Sequence, residues 1–418
     1  MNFNYPSNVE DLINRVEAFF ASEMLPRHRE WVQTVCRDGR PPSFIKDIQK
    51  KAKSQGLWNL ALPELAAEEP GTRLTNLEFA PIAEILGRLP WGSMAFNCHA
   101  PEVPNMAMLQ SIATREQKIK WLNPLLNAET RSSFAMTEPA VASSDATNIA
   151  TKMDFEGNAI VINGHKWFAT GGAHPDCSFF IVMGVSDPDA GRTGQHSMVI
   201  VPTDTPGVTI VRDLRFMGWT DHVAPIAEIK FENVKVPAEN LLGIRGEGFK
   251  GAQVRLGPAR IHHCMRCIGL AEMVLAQMVA RAQERTTFGK TIVEYDTVQK
   301  WIAEARIDIE QTRLFIQRGA WMLDNSPDKN TWRTVSQIKV TTPRMLQKIT
   351  DRAIQLFGAM GGTDDTLIHH AWTYARWLRI GDGPDEVHLR QIFKTEPVPD
   401  WSIAECPYIA PLETYGVG

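Results

Sequence analysis

No run of 18 or more apolar residues occurs in this chain, so no segment is predicted to span a membrane. A dominant charge is missing too. Lys and Arg number 44 against 48 Asp and Glu, a net charge of −4, so the balance predicts no nucleic-acid partner. Cysteine is sparse and scattered. Cys36, Cys98, Cys177, Cys264, Cys267 and Cys406 form no disulfide framework, and reduced thiols in a cytoplasm fit better. Neither an internal repeat nor a low-complexity tract is visible. The opening MNFNYPSNVEDL lacks a signal or transit pattern, and the closing ETYGVG carries no lipidation or peroxisomal address. A cytoplasmic location is therefore expected.

What is present is an ordinary soluble composition, 44% hydrophobic and 22% charged over 418 residues, long enough for two or three domains. The first part has a helical period. Leu12, Ile13, Val16, Phe19 and Phe20 mark one amphipathic helix, and similar runs cover 43–53, 77–86, 106–112 and 116–126. The period then changes. Short β-rich runs at 159–162, 177–183, 196–201, 208–211 and 226–231 are separated by turn signals such as Glu156-Gly157-Asn158 and Thr205-Pro206-Gly207. No helix-length segment lies between them, which excludes a doubly wound nucleotide fold. Helical spacing returns in long segments, roughly 250–284, 292–323, 331–357 and 363–378, with a shorter one after Asp385, and predicts a four-helix bundle. The fold class is α+β: a helical domain over 1–131, an antiparallel β domain over 132–243 and a helical bundle over 244–418.

Several segments could carry chemistry. Arg379-Ile-Gly-Asp382-Gly383-Pro384-Asp385-Glu386-Val-His388 places a carboxylate, Asp382, on a Gly/Pro-punctuated turn, where it could act as a general base. Phe134-Ala-Met-Thr-Glu-Pro-Ala-Val-Ala-Ser-Ser-Asp145 is rich in small and hydroxyl residues that let backbone N–H groups approach a ring or phosphate. In Asn163-Gly164-His165-Lys166-Trp167-Phe168-Ala169-Thr170, Gly164 reads as a hairpin turn. Phe168 and Thr170 then share one face of the following strand, and a shift of one residue would present Trp167 instead. Gly257-Pro-Ala-Arg260 reads as the opening of the long helix. Two further motifs are Arg285-Thr-Thr287-Phe288-Gly-Lys290 and Gln355-Leu-Phe-Gly358-Ala359-Met-Gly-Gly362. His262, His263, Cys264 and Cys267 suggest metal ligands, but residues so close on one helix cannot complete a tetrahedral site. They read as a buried helix, and no metal is expected.

Taken together and in this order, these motifs resemble the acyl-CoA dehydrogenase family of flavoenzymes over nearly the whole chain. The resemblance implies bound FAD and an acyl-CoA substrate. It places Phe134, Met136, Thr137 and Ser143 at the flavin and Ser144 at CoA, with Ser143 and Ser144 both open for the CoA contact. It places Phe168, Ala169 and Thr170 against the flavin ring, with Phe where Trp is usual. Arg260 is implied near the thioester arm, although Gly257 stands where the family has an Asp. Arg285, Thr287 and Phe288 are implied to reach the FAD of a neighbouring subunit. Gln355, Gly358 and Ala359 are implied at its adenine–pyrophosphate part.

The resemblance also makes Asp382 the base, Gly383 a substrate contact, and Pro384 and Glu386 cofactor contacts. Most of the family has Glu there, in an E-G-T-x-x-Q setting. Asp is one methylene shorter, so backbone or substrate must come closer. The implied reaction is α,β-dehydrogenation to a trans-2-enoyl-CoA, as in fatty acid β-oxidation. The base takes the α-proton, and hydride passes to flavin N5. Burial in an apolar pocket is expected to raise the pKa of Asp382. An electron-transfer flavoprotein is the implied acceptor, and a homodimer or homotetramer the implied assembly. Nitroalkane oxidases share this fold and an Asp base and are the alternative; Ser144 and Arg260 favour a CoA substrate. A catalytically silent flavin-binding relative is a third reading, against which the carboxylate at 382 argues.

Overall fold

The computed structural model describes residues 5–406 and Tyr408; residues 1–4 and the ETYGVG tail lie outside the described residues. The N-terminal part is built from α1 (Ser7–Phe19), α2 (His28–Asp38), α3 (Phe44–Ser54), α4 (Asn76–Gly87), α5 (Glu102–Ile112) and the short α6 (Arg115–Gln117) and α7 (Asn123–Leu126). The apolar stripe of α1 is buried through Val9, Leu12, Val16 and Phe19, as its period predicts. A capping box starts α4: Thr75 accepts from the Glu78 N–H, and the Glu78 carboxylate accepts from the Thr75 N–H. The sequence reading missed α2. That helix buries only Trp31 and Val35, too few residues to show a period.

The β domain contains β1 (Arg131–Ala135), β2 (Lys152–Glu156), β3 (Ala159–Thr170), β4 (Cys177–Val185), β5 (His196–Pro202), β6 (Val208–Leu214), β7 (Ile226–Pro237) and β8 (Leu241–Leu242). The strand order is β6-β7-β3-β2-β4-β5-β8, with β1 parallel to β4. β4 is apolar from Phe179 to Met183 because both of its faces are covered there. Phe179, Ile181 and Met183 join the large core shared with the helices, whereas Phe180 and Val182 join a second core within the β domain. Gly164 is not a hairpin turn. β3 runs straight through it, paired to β7 with a register shift, and the turn that precedes β3 is at Gly157, with φ 58°.

The C-terminal part consists of α8 (Gly248–Glu284), a small hairpin of β9 (Thr286–Thr287) and β10 (Lys290–Thr291), α9 (Asp296–Asn325), α10 (Lys329–Phe357), α11 (Ile368–Leu378) and α12 (Asp385–Thr395). α8 begins at Gly248, so Gly257 to Arg260 is not its opening turn. α4 and α8 cross in backbone contact. A Cβ on Gly269 would sit 1.8 Å from the Glu84 carbonyl oxygen, and one on Gly87 would sit 2.1 Å from that of Arg266. This crossing draws the His262–Arg266 turn of α8 against the N-terminal helices. None of the helices among the described residues is long and apolar enough to cross a membrane.

Candidate active site

A cavity of about 3660 Å³ opens between the N-terminal helices, the β domain and the bundle. Single drug-sized ligands need about 300–1,000 Å³. The available space therefore suits a large cofactor together with a long substrate.

Asp382 lines this cavity from the turn between α11 and α12. It adopts the left-handed region at φ 55°, uncommon for a residue with a Cβ. The surroundings impose that conformation. Lys339, 1% exposed, reaches out from α10 and donates to the Gly381 carbonyl at 2.9 Å and to the Leu378 carbonyl. Arg260 Nε donates to the Asp382 carbonyl at 3.1 Å, and His388 Nε2 lies 3.3 Å from the same oxygen. Gly383 follows at φ 102°, where a Cβ would lie 2.9 Å from His388 Nε2. Beyond it, the buried carboxylate of Asp385 is held by Arg344 at 3.0 Å and Arg379 at 2.9 Å. The turn is thus fastened on both sides of the aspartate.

The Asp382 carboxylate itself is 17% exposed, and His263 Nε2 lies 3.5 Å away. The expected rise in its pKa does not occur. Burial pushes it up, but His263, Arg255, Lys339 and Arg260 outweigh burial, and the net direction is down from 3.8. The pocket floor is cationic rather than apolar. Arg255 is buried, donates to Asn105 Oδ1 at 2.8 Å and lies over the Phe134 ring, 4.6 Å from its centroid.

The Phe134–Asp145 segment forms another wall. Its anchor is Glu138, which accepts from the N–H groups of Ala150 and Thr151, both at 2.8 Å, and from the ammonium of Lys166 at 2.8 Å. Lys166 is fully buried and also donates to the Met136 carbonyl at 2.8 Å. Burial lowers its pKa to about 8, although Glu138 pulls the other way. Phe134, Met136 and Thr137 all line the cavity. Ser143 lines it too, but its hydroxyl braces the loop by accepting from the Glu138 N–H at 2.9 Å. Ser144 is exposed at the cavity wall.

Trp167 and Phe168 both line the cavity. Phe168 sits at φ 51° where the β3–β7 register shifts, and its ring meets that of Trp167 edge-on at 4.9 Å. Thr170 also lines the cavity, but the Ala169 side chain is buried in the β-domain core and cannot touch a ligand there. Arg260 lines the cavity, and its Nε is engaged with the base turn through the Asp382 carbonyl. Pro384 and Gly383 line the cavity, whereas Glu386 is exposed and does not.

Two motifs are not brought to this cavity within one chain. Arg285 and Phe288 stand on the exposed β9–β10 hairpin with Thr287, and Phe288 is 97% exposed at φ 48°. Gln355, Gly358 and Ala359 are exposed at the end of α10. Sequence reasoning assigned none of His263, Arg255, Lys339 and His388 a role beside the base. They are spread over α8, α10 and α12, and no local pattern links them.

Comparison with known proteins gives the family. Acyl-CoA dehydrogenase family models match in order: the N-terminal domain over residues 7–129, the middle domain over 133–234 and the C-terminal domain over 246–396. The chain is 48% identical over 360 residues to the probable acyl-CoA dehydrogenase FadE2 of Mycobacterium tuberculosis, covering 86% of this chain and 87% of that one. It is 46% identical over 392 residues to acyl-CoA dehydrogenase family member 10 of Mus musculus, covering 93% of this chain but 37% of that longer protein. A solved structure from Mycobacterium abscessus, named for the same enzyme class, has a TM-score of 0.90 at 43% identity, covering 94% of this chain and 98% of that one.

Fold and site together define a flavoenzyme of helical–β–helical architecture. The chain belongs to the acyl-CoA dehydrogenase family, and its cofactor is FAD. The residues present fit that group. Trp167 Nε1 is a buried donor with no partner among the described residues, it lines the cavity, and the exposed Phe168 ring lies beside it. Such an orphan donor is costly unless a ligand acceptor meets it.

Proposed function

We propose that the chain dehydrogenates an acyl-CoA between its α and β carbons, with Asp382 taking the α-proton. The observation that carries this reading is a carboxylate held ionised on a fastened turn and facing the cavity. Thr137, Trp167, Phe168 and Thr170 would hold the flavin, with Phe134 and Met136 contributing from the same wall. FAD, when bound, supplies the electron-accepting chemistry that no side chain offers. The chain's own residues orient the base, present donors and keep water from the thioester. Ser144 is the free hydroxyl at the wall and suits a contact with CoA. Arg260 serves the reaction through the base turn.

Anaerobic titration of the FAD-loaded protein with a panel of acyl-CoAs tests the reading. At least one acyl-CoA bleaches the flavin absorbance in a stoichiometric titration. Bleaching by nitroalkanes with no response to any acyl-CoA moves the protein to the nitroalkane-oxidising class, with the same residue as base. An electron-transfer flavoprotein is the proposed acceptor of the electrons.

A second copy of the chain would cover the exposed motifs. A bulky residue at φ 48° and fully exposed on a hairpin tip is costly for a monomer. Packing of Arg285, Thr287 and Phe288 against a neighbour's FAD explains it, with Gln355, Gly358 and Ala359 at the same junction. A C2 dimer or a dimer of dimers follows. Arg285→Ala is expected to weaken FAD retention roughly 10-fold, the loss of about one charge-assisted hydrogen bond, with the unfolding midpoint unchanged. A monomer by light scattering that keeps full flavin occupancy contradicts this assembly.

A further inference from the structure

We propose that His263 is the positioning residue of the base, its Nε2–H directing the Asp382 carboxylate into the cavity in a tautomer that Arg266 imposes. The proposal rests on the reading of Asp382 as the base.

The geometry on the two sides of the ring differs. On one side, Arg266 Nη2 lies 2.8 Å from His263 Nδ1, and the Tyr374 hydroxyl lies 2.9 Å from the same nitrogen. A guanidinium can only donate, so Nδ1 must accept. The single ring proton is then on Nε2, which faces Asp382 Oδ2 at 3.5 Å. That separation is longer than a hydrogen bond, and catalytic contacts of this kind tighten once substrate closes the site. His263 is buried, and burial together with the Arg266 charge lowers its pKa to about 3, so the ring is neutral at working pH. Burial pushes the Tyr374 hydroxyl well above its usual pKa, so it stays protonated.

His263 differs from the other groups around Asp382. Arg260 and His388 hold the aspartate's carbonyl, Lys339 holds the carbonyls before it, and Arg255 is engaged with Asn105. The charges of Arg255, Arg260 and Lys339 keep the carboxylate ionised without aiming it. Asp221, from the loop before β7, adds a negative charge near Tyr374. Among the described residues, His263 alone brings a Lys, Arg or His nitrogen within 4.0 Å of the carboxylate oxygens. A side chain one methylene shorter than Glu has less reach, so its direction must be fixed from outside. The same tautomer rules out a relay. Nε2 already carries a proton and Nδ1 is occupied by Arg266, so the α-proton stays on Asp382 until product leaves.

The test is anaerobic flavin reduction by a saturating acyl-CoA, followed against pH in the FAD-loaded holoenzyme. His263→Ala is expected to slow reduction roughly 10- to 100-fold through misplacement of the base. It also moves the acid limb of the pH profile upward by about one unit, because the carboxylate loses a donor. His263→Gln, whose amide can offer an N–H on the same side, restores the limb toward its wild-type position. Tyr374→Phe leaves Arg266 on Nδ1 and keeps the limb in place, so it reports on packing alone. An unshifted limb in His263→Ala, or a His263→Gln no better than His263→Ala, overturns the proposal. If His263→Ala fails to hold flavin, His263→Gln against wild type decides: a limb moved as far as one unit in the variant that retains the donor overturns it. Wild-type reduction by Asp382→Asn would instead remove the underlying assignment of the base.

Discussion

Asp382→Asn is expected to fold, to bind FAD and acyl-CoA, and to reduce its flavin about 10²- to 10⁴-fold more slowly than wild type, the usual contribution of a positioned general base. The substitution keeps the shape of the side chain and removes its ability to take a proton. Neighbouring carboxylates cannot replace it. Asp385 is buried and tied to Arg344 and Arg379, and Glu386 is exposed outside the cavity. Stopped-flow absorbance under anaerobic conditions measures the loss. Reduction at the wild-type rate would show that another group is the base.

The pH dependence follows from the direction of the Asp382 shift. Its folded pKa lies below 3.8, so the carboxylate is already available at neutral pH, and flavin reduction loses this group only in strong acid. For stability, a carboxylate with a depressed folded pKa contributes above its unfolded pKa. That contribution is lost as pH falls through the folded value. Asn at 382 also leaves Arg255, Arg260 and Lys339 without the charge that balances them. Some loss of stability therefore accompanies the loss of activity.

Glu102→Gln carries the largest expected effect on folding, roughly 3–5 kcal/mol, the cost of breaking a buried ion pair from one side. Glu102 is 1% exposed in the first turn of α5. Its Oε1 lies 2.9 Å from Arg131 Nε on β1, and its Oε2 lies 2.8 Å from His99 Nε2. Arg131 also donates to the Val223 carbonyl at 2.6 Å. One carboxylate thus ties the N-terminal helices to β1, and through Arg131 to the loop before β7. Burial pushes the Glu102 pKa up, but Arg131 and His99 outweigh burial and hold it far below the usual range. Glutamine leaves a buried guanidinium uncompensated. Equilibrium urea denaturation followed by tryptophan fluorescence measures the change; a difference below about 1 kcal/mol would mean the joint relaxes or admits water.

The legible part of the fold and site was the part written in local pattern. Helical period marked α1, α3, α4 and the bundle helices, because each buries one continuous stripe. The apolar run of β4 marked a strand covered on both faces. α2 and the short β2 were illegible because each buries too few residues to set a period. Gly164 misled because glycine marks both turns and register shifts, and only the pairing of β3 with β7 distinguishes them.

By itself the sequence determined the three-part architecture, the family, FAD as cofactor and the candidate base on its Gly-Pro turn. The architecture rests on periodicity and turn signals, whereas the family, its FAD and the candidate base rest on short motifs that resemble those of the family. The electrostatic character of the site was decided only by the tertiary structure. Asp382 was expected in an apolar pocket with a raised pKa, yet it lies among Arg255, Arg260, His263 and Lys339 with its pKa lowered. Those residues come from two helices and reach the base across 43 to 127 positions of sequence. A pKa depends on distance through space, and local sequence patterns do not encode which distant charges packing will bring together.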